Sequence, residues 1–125
     1  MDRIDLRVHV DALSRVELAQ TDLGESTKVI QKRVQDAREI AAVRFKDLPW
    51  KRNAEIPSRA LRTSFLPERA GMNYLHAALD REQITARGLH KVMRTSWSIA
   101  DLEQHRLPTL ADVEMAYELR EGTCR

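Results

Sequence analysis

Between Ile84 and Leu102 the chain repeats small and apolar residues at helical spacing. Leu89, Val92, Met93, Ser96, Ile99 and Ala100 fall on one stripe, which predicts a long amphipathic helix. Thr85 stands where an N-cap belongs, since its side-chain oxygen can accept a free backbone N–H of the first turn. A second stripe on this helix is basic, with Arg87, Lys91 and Arg94 at i, i+4 and i+7. The other periodic segments are shorter. Ile4, Leu6, Val8 and Val10 alternate with Asp5, Arg7 and His9, the pattern of a strand with one polar face. Ser26 is the expected cap of a helix over about 27–46, with Ile30, Val34, Ala37, Ala41 and Phe45 as its buried stripe. Residues 47–57 read as a loop broken by Pro49 and Pro57, with Trp50 packed over a core edge. Ser58 is the expected cap of a short helix through about Ser64. Pro67 suits the first position of a helix to about Arg81, with Met72, Leu75 and Leu79 inward. After a turn over 104–108, Thr109 is the expected cap of a last helix, about 110–120, with Val113, Ala116 and Tyr117 inward.

One strand and four to five helices make the chain mainly α: a helical bundle preceded by a single N-terminal extended strand. A lone strand cannot satisfy its own backbone groups, and no later segment offers a partner. The expectation is a sheet lying upstream, with residues 1–23 as the final core strand and connector and 24–125 as a C-terminal helical domain.

Composition narrows this picture. The chain has 125 residues, 42% hydrophobic and 32% charged, which suits one globular domain with a modest core. Aromatic residues make up only 5%, so the core must be largely aliphatic. The net charge of +2 does not by itself argue for nucleic acid or an anionic membrane. No apolar run approaches membrane-spanning length, and the charged opening MDRIDLRVHV is no signal peptide. The lone cysteine, Cys124, cannot form an internal disulfide and fits a cytoplasmic protein.

Catalytic signatures are missing. None of the four glycines sits in G-x-x-x-x-G-K-[ST], and neither G-x-S-x-G nor H-E-x-x-H occurs. His9, His76, His90 and His105 lack metal-ligand spacing, so no metal site is expected. No catalysis is expected of this chain alone. Arg87 is the residue out of place. A cation in the first turn sits at the positive end of the helix dipole, where it is mildly unfavourable. It is either a solvated surface arginine or half of an anion site, since a helix N-terminus with an arginine suits a phosphate.

DRIDL (Asp2–Leu6), GES (Gly24–Ser26), W-x-x-NAEIP (Trp50–Pro57) and ITARG…R-x-x-x-SIADLE (Ile84–Glu103) together resemble the C-terminal part of the magnesium-chelatase-like AAA+ ATPases of the YifB/ComM type, in an actinobacterial form. The resemblance covers nearly the whole chain. It implies a parent with a P-loop ATPase core upstream, ATP and Mg2+ bound at subunit interfaces of a homo-hexameric ring, and a motor acting on DNA in branch migration. This fragment alone would bind none of these cofactors. Arg87 would be the sensor 2 residue, reaching from the lid to the terminal phosphate of ATP. Arg3 would be the arginine finger entering the neighbouring subunit's site; its plainer reading is a strand-edge arginine, solvated or paired with Asp5. Lys91 and Arg94 would extend the phosphate-facing surface or touch DNA, or form only a solvated basic stripe. Trp97 replaces the family's commoner arginine, and is expected to pack against another element. The competing class is a stand-alone helical module that binds protein or nucleic acid.

Overall fold

The computed structural model describes residues 6, 7 and 26–121. Five α-helices follow one another: α1 (Thr27–Arg44), α2 (Ser58–Thr63), α3 (Arg69–Asp80), α4 (Ala86–Leu102) and α5 (Leu110–Glu121), with a 3₁₀ turn at Asn53–Glu55 between α1 and α2. The mainly helical expectation holds. The expected strand lies outside the described residues apart from Leu6 and Arg7, and the Arg7 amide donates to the carbonyl of Leu119 in α5.

Helix α4 is the spine. Its first turn is closed by Thr85, whose hydroxyl accepts the Gly88 N–H at 3.0 Å. Leu89, Val92, Met93, Ser96 and Ala100 are buried as the stripe requires, and Trp97 joins them. The Ser96 hydroxyl donates to the carbonyl of Met93 at 2.6 Å, so its burial leaves no unsatisfied donor. Helices α1, α3 and α5 and the 3₁₀ turn all pack on this spine.

Side-chain caps explain where α1 and α5 begin, while α2 and α3 start without one. Ser26 accepts the Val29 N–H at 3.3 Å and starts α1. Thr109 and Asp112 cap α5 reciprocally: the Asp112 N–H donates to the Thr109 hydroxyl, and the Thr109 N–H to the Asp112 carboxylate. Two expected starts shift. Pro57, with ψ 148°, is the N-cap of α2. Ser58 is therefore the first helical residue, and its hydroxyl accepts from Arg94. Glu68 is the N-cap of α3, which puts Pro67 ahead of the helix rather than in its first position.

The largest departure concerns α1. Of its expected stripe only Ala41 and, just past the helix, Phe45 are buried; Ile30 is 47% exposed and Val34 and Ala37 are half-buried. The second half of the helix has the α4 spine beside it. Its first turns stand across open hollows from Ser98, Leu102 and Gln104, so Val29 and Ile30 stay about half exposed.

Gly71 shows how tightly α3 meets α5. A Cβ there would stand 2.8 Å from Cγ2 of Val113, a fully buried side chain. Gly71→Ala is expected to lower stability by about 1–3 kcal/mol through overpacking, despite alanine's better helix propensity. A urea titration against the unsubstituted protein checks this, and an unchanged or raised midpoint would contradict it.

Candidate functional site at the ends of the long helix

Each end of α4 carries charged chemistry. At its start Arg87 is exposed in the first turn, two residues after the capping threonine, Thr85. The backbone N–H groups of this turn point outward with no intrahelical partners, apart from that of Gly88, which Thr85 takes. A second arginine arrives from α5. A Cβ on Gly88 would lie 3.1 Å from both Nε and Nη2 of Arg120, so the missing side chain at Gly88 makes room for that guanidinium. Arg120 lines a hollow there with Glu82, Thr85 and Glu121, whereas Arg87 stands exposed at the positive end of the helix, an arrangement that an anion would stabilise. Sequence spacing could not bring in Arg120, which lies a whole helix and turn away.

The basic stripe divides on inspection. The Arg94 Nε donates to the Ile56 carbonyl at 2.8 Å and its Nη2 to the Ser58 hydroxyl at 3.3 Å, so Arg94 pins the start of α2 to the spine. Lys91 is half-buried, and it lines a shallow hollow with Ala54, Arg94, Thr95 and Ser98. His90 is held below its ordinary value by burial first and then by Arg94 and Arg62, so it is neutral at pH 7. Arg3 lies outside the described residues.

At the far end of α4 the chain builds a buried polar clasp. Asp101 is 1% exposed and pairs with both terminal nitrogens of Arg44, the last residue of α1. Asn53 donates to the same carboxylate at 2.9 Å and to the Ser98 hydroxyl at 3.2 Å, and accepts from Arg44 at 3.1 Å. The Arg44 guanidinium lies 4.4 Å from the centroid of the Trp97 ring, close enough for cation–π attraction. Trp97 itself donates to the Phe65 carbonyl at 2.9 Å. It also meets the Phe65 ring edge-on at 5.8 Å, in a cluster that includes Phe45 and Trp50. The expectation that Trp97 packs against another element holds, and Trp50 does cover a core edge. Asn53 of NAEIP and Ser98 and Asp101 of SIADLE are therefore joined by hydrogen bonds. What these segments supply is a rigid joint between α1, the 3₁₀ turn and α4.

A second clasp closes the turn before α5. The His105 Nδ1 stands 2.8 Å from the Asp112 carboxylate that caps the helix. Its pKa is raised from the ordinary 6.5, chiefly by that hydrogen bond; desolvation opposes the rise, and the charges of Asp112, Glu103 and Glu68 add to it in smaller measure. A folded pKa above the unfolded one adds stability that is fully present below about 6.5 and is lost as pH rises through the folded value. The melting temperature of the wild type relative to His105→Gln is therefore expected to be higher at pH 6 than at pH 8.5. A pH-independent difference would contradict the pairing.

No group of three His, Cys, Asp or Glu among the described residues is placed to hold a metal ion, and no described helix is long and apolar enough to cross a membrane.

Comparison with known proteins places this geometry. The family described as "Magnesium chelatase, subunit ChlI C-terminal" matches residues 24–120. Uncharacterized proteins of Mycobacterium bovis and Mycobacterium tuberculosis are each 38% identical over 125 residues, the full chain and 25% of their own lengths. The competence protein ComM of Haemophilus influenzae is 29% identical over 104 residues, 82% of this chain and 20% of its own length. The chain thus spans about a quarter of the length of the mycobacterial relatives it matches.

Proposed function

The chain belongs to the magnesium chelatase subunit ChlI C-terminal family, and from that membership we propose that it is the helical lid of an AAA+ ATPase. In this reading a P-loop core upstream binds ATP and Mg2+, and residues 24–125 fold over the nucleotide. The ring is a homo-hexamer in the cytoplasm, working on DNA as the resemblance to ComM suggests. The observation that carries the proposal is the position of Arg87. It is an exposed guanidinium in the first turn of the helix on which the other elements pack, where isolated electrostatics disfavour a cation. A phosphate removes that conflict.

ATP with Mg2+ supplies the transferable phosphoryl group. The part of this chain is to hold and orient: Arg87 pairs with the terminal phosphate, while Lys91 lies one helical turn further along the same edge. Arg3 is proposed as the finger reaching a neighbouring subunit. Arg94 has less support as a phosphate or DNA contact, because its donors already hold Ile56 and Ser58. The Asp101 clasp gives Arg87 its mechanical meaning. A lid that reports on a phosphate must transmit movement at one end of α4 to its other end, and a joint locked by Arg44, Asn53 and Asp101 lets α1 follow.

The larger protein is expected to hydrolyse ATP in a Mg2+-dependent reaction that slows when Arg87 is removed. Turnover that ignores Arg87 would leave the chain as an independent helical binding module, the competing reading.

A further inference from the structure

Between α1 and the C-terminal end of α4 lies a groove of about 680 Å³. Its floor is apolar. Val34, Ala37 and Ala41 line it from α1 and Leu102 from α4. By helical spacing Ile30 extends the same line on α1, and it is 47% exposed. From Ile30 to Ala41 the line runs about 17 Å, three turns of helix. Single apolar side chains on a surface are ordinary, whereas a continuous apolar line in a concave site marks a binding surface.

The rim of the groove is basic. Arg38 and Arg52 stand exposed on it, and among the described residues neither is paired with a carboxylate. Lys51 adds a third positive charge, although its ammonium group already donates to the carbonyls of Phe45, Lys46 and Leu48. The carboxylate in the groove wall, Asp101, is buried and neutralised by Arg44. An occupant must therefore combine an apolar stripe with negative charge beside it. A nucleic-acid duplex supplies the charge but no stripe for the floor. The long walls are helices, which offer no open backbone edge to a β-strand. Ala37, Ala41 and Ser98 are small enough to let a third helix come within the usual ~8–10 Å between axes. The acidic helix of this chain is α5, and its Val113 and Ala116 are already buried where it packs on α3 and α4, so a second copy does not supply the occupant. We propose that the groove docks an acidic amphipathic helix of a separate partner protein. Its apolar stripe lies on Val34, Ala37 and Leu102, and its carboxylates pair with Arg38 and Arg52. The groove is at the opposite end of α4 from Arg87, so this inference stands apart from nucleotide sensing.

Fluorescence anisotropy with the full chain tests it. The probe is a labelled synthetic peptide of about 14 residues, four turns of helix, with leucine on one stripe and glutamate beside it. A second peptide carries lysine for every glutamate, and a third keeps the composition of the first but scatters its leucines. The glutamate peptide is expected to bind at least about tenfold more tightly than either control. Arg38→Glu combined with Arg52→Glu should reverse the preference in favour of the lysine peptide, with a melting curve showing that the exposed substitutions leave the fold intact. Val34→Asp, on the floor, should weaken both. Failure of the glutamate peptide to bind, equal binding of the glutamate and lysine peptides, or binding indifferent to the arginine substitutions would overturn the proposal. So would a dimer in sedimentation that the arginine substitutions dissolve, or a larger parent protein that does not take the peptide, since a second copy or an upstream segment would then fill the groove.

Discussion

Asp101→Ala is expected to cost the domain about 3–5 kcal/mol, the range for removing one partner of a buried ion pair. The carboxylate is almost wholly enclosed and takes donors from Arg44 and Asn53. Its loss leaves a guanidinium with side-chain exposure of only 14% and no counter-charge there, and frees an amide donor of a buried asparagine. A pair at the surface would contribute no more than about 1 kcal/mol, so the size of the effect separates the two situations. For a domain of this length the loss corresponds to a fall in melting temperature on the order of 20 °C. Asp101→Asn should cost less, because one carbonyl oxygen remains to accept from Asn53 or Arg44. A thermal melt of both variants decides the matter. A loss near zero for Asp101→Ala would mean that the clasp does not hold α1 to the spine.

The spine and its cap were legible because they are local. Thr85 and the stripe from Leu89 to Ala100 lie within one helix, where spacing and side-chain direction are tied together. The clasp was not. Arg44 and Asp101 are 57 positions apart, and no periodicity links them. The one hint was a carboxylate directly after buried Ala100, on the turn beyond Trp97, where a solvated face would not be expected. Trp97 could be read as a packing residue, but not that its ring would lie beside Arg44. The stripe of α1 departs from expectation in its first half: helical spacing alone puts Ile30, Val34 and Ala37 on one face, but burial needs a neighbouring element, and full burial along this helix begins only at Ala41. Ser58 has the residue type that favours a cap, but the extended Pro57 precedes it as the N-cap, and the serine hydroxyl accepts from Arg94 instead. At the candidate site, Arg87 stood out through helix electrostatics alone. Arg120 and the clearance at Gly88 came only with the packing of α5 on α4.

The central claim is that Arg87 senses a nucleotide phosphate, and the most direct measurement is steady-state ATP hydrolysis by the larger protein with and without Arg87→Ala. The side chain is exposed, so its removal should leave the stability within about 0.5 kcal/mol of the parent's. A group that stabilises charge on the reacting phosphate contributes on the order of 10²-fold to turnover. The account predicts a fall of that size in kcat with an intact fold, and partial recovery in Arg87→Lys, which restores the charge without the fork. Wild-type turnover by Arg87→Ala in a folded protein that hydrolyses ATP would contradict it.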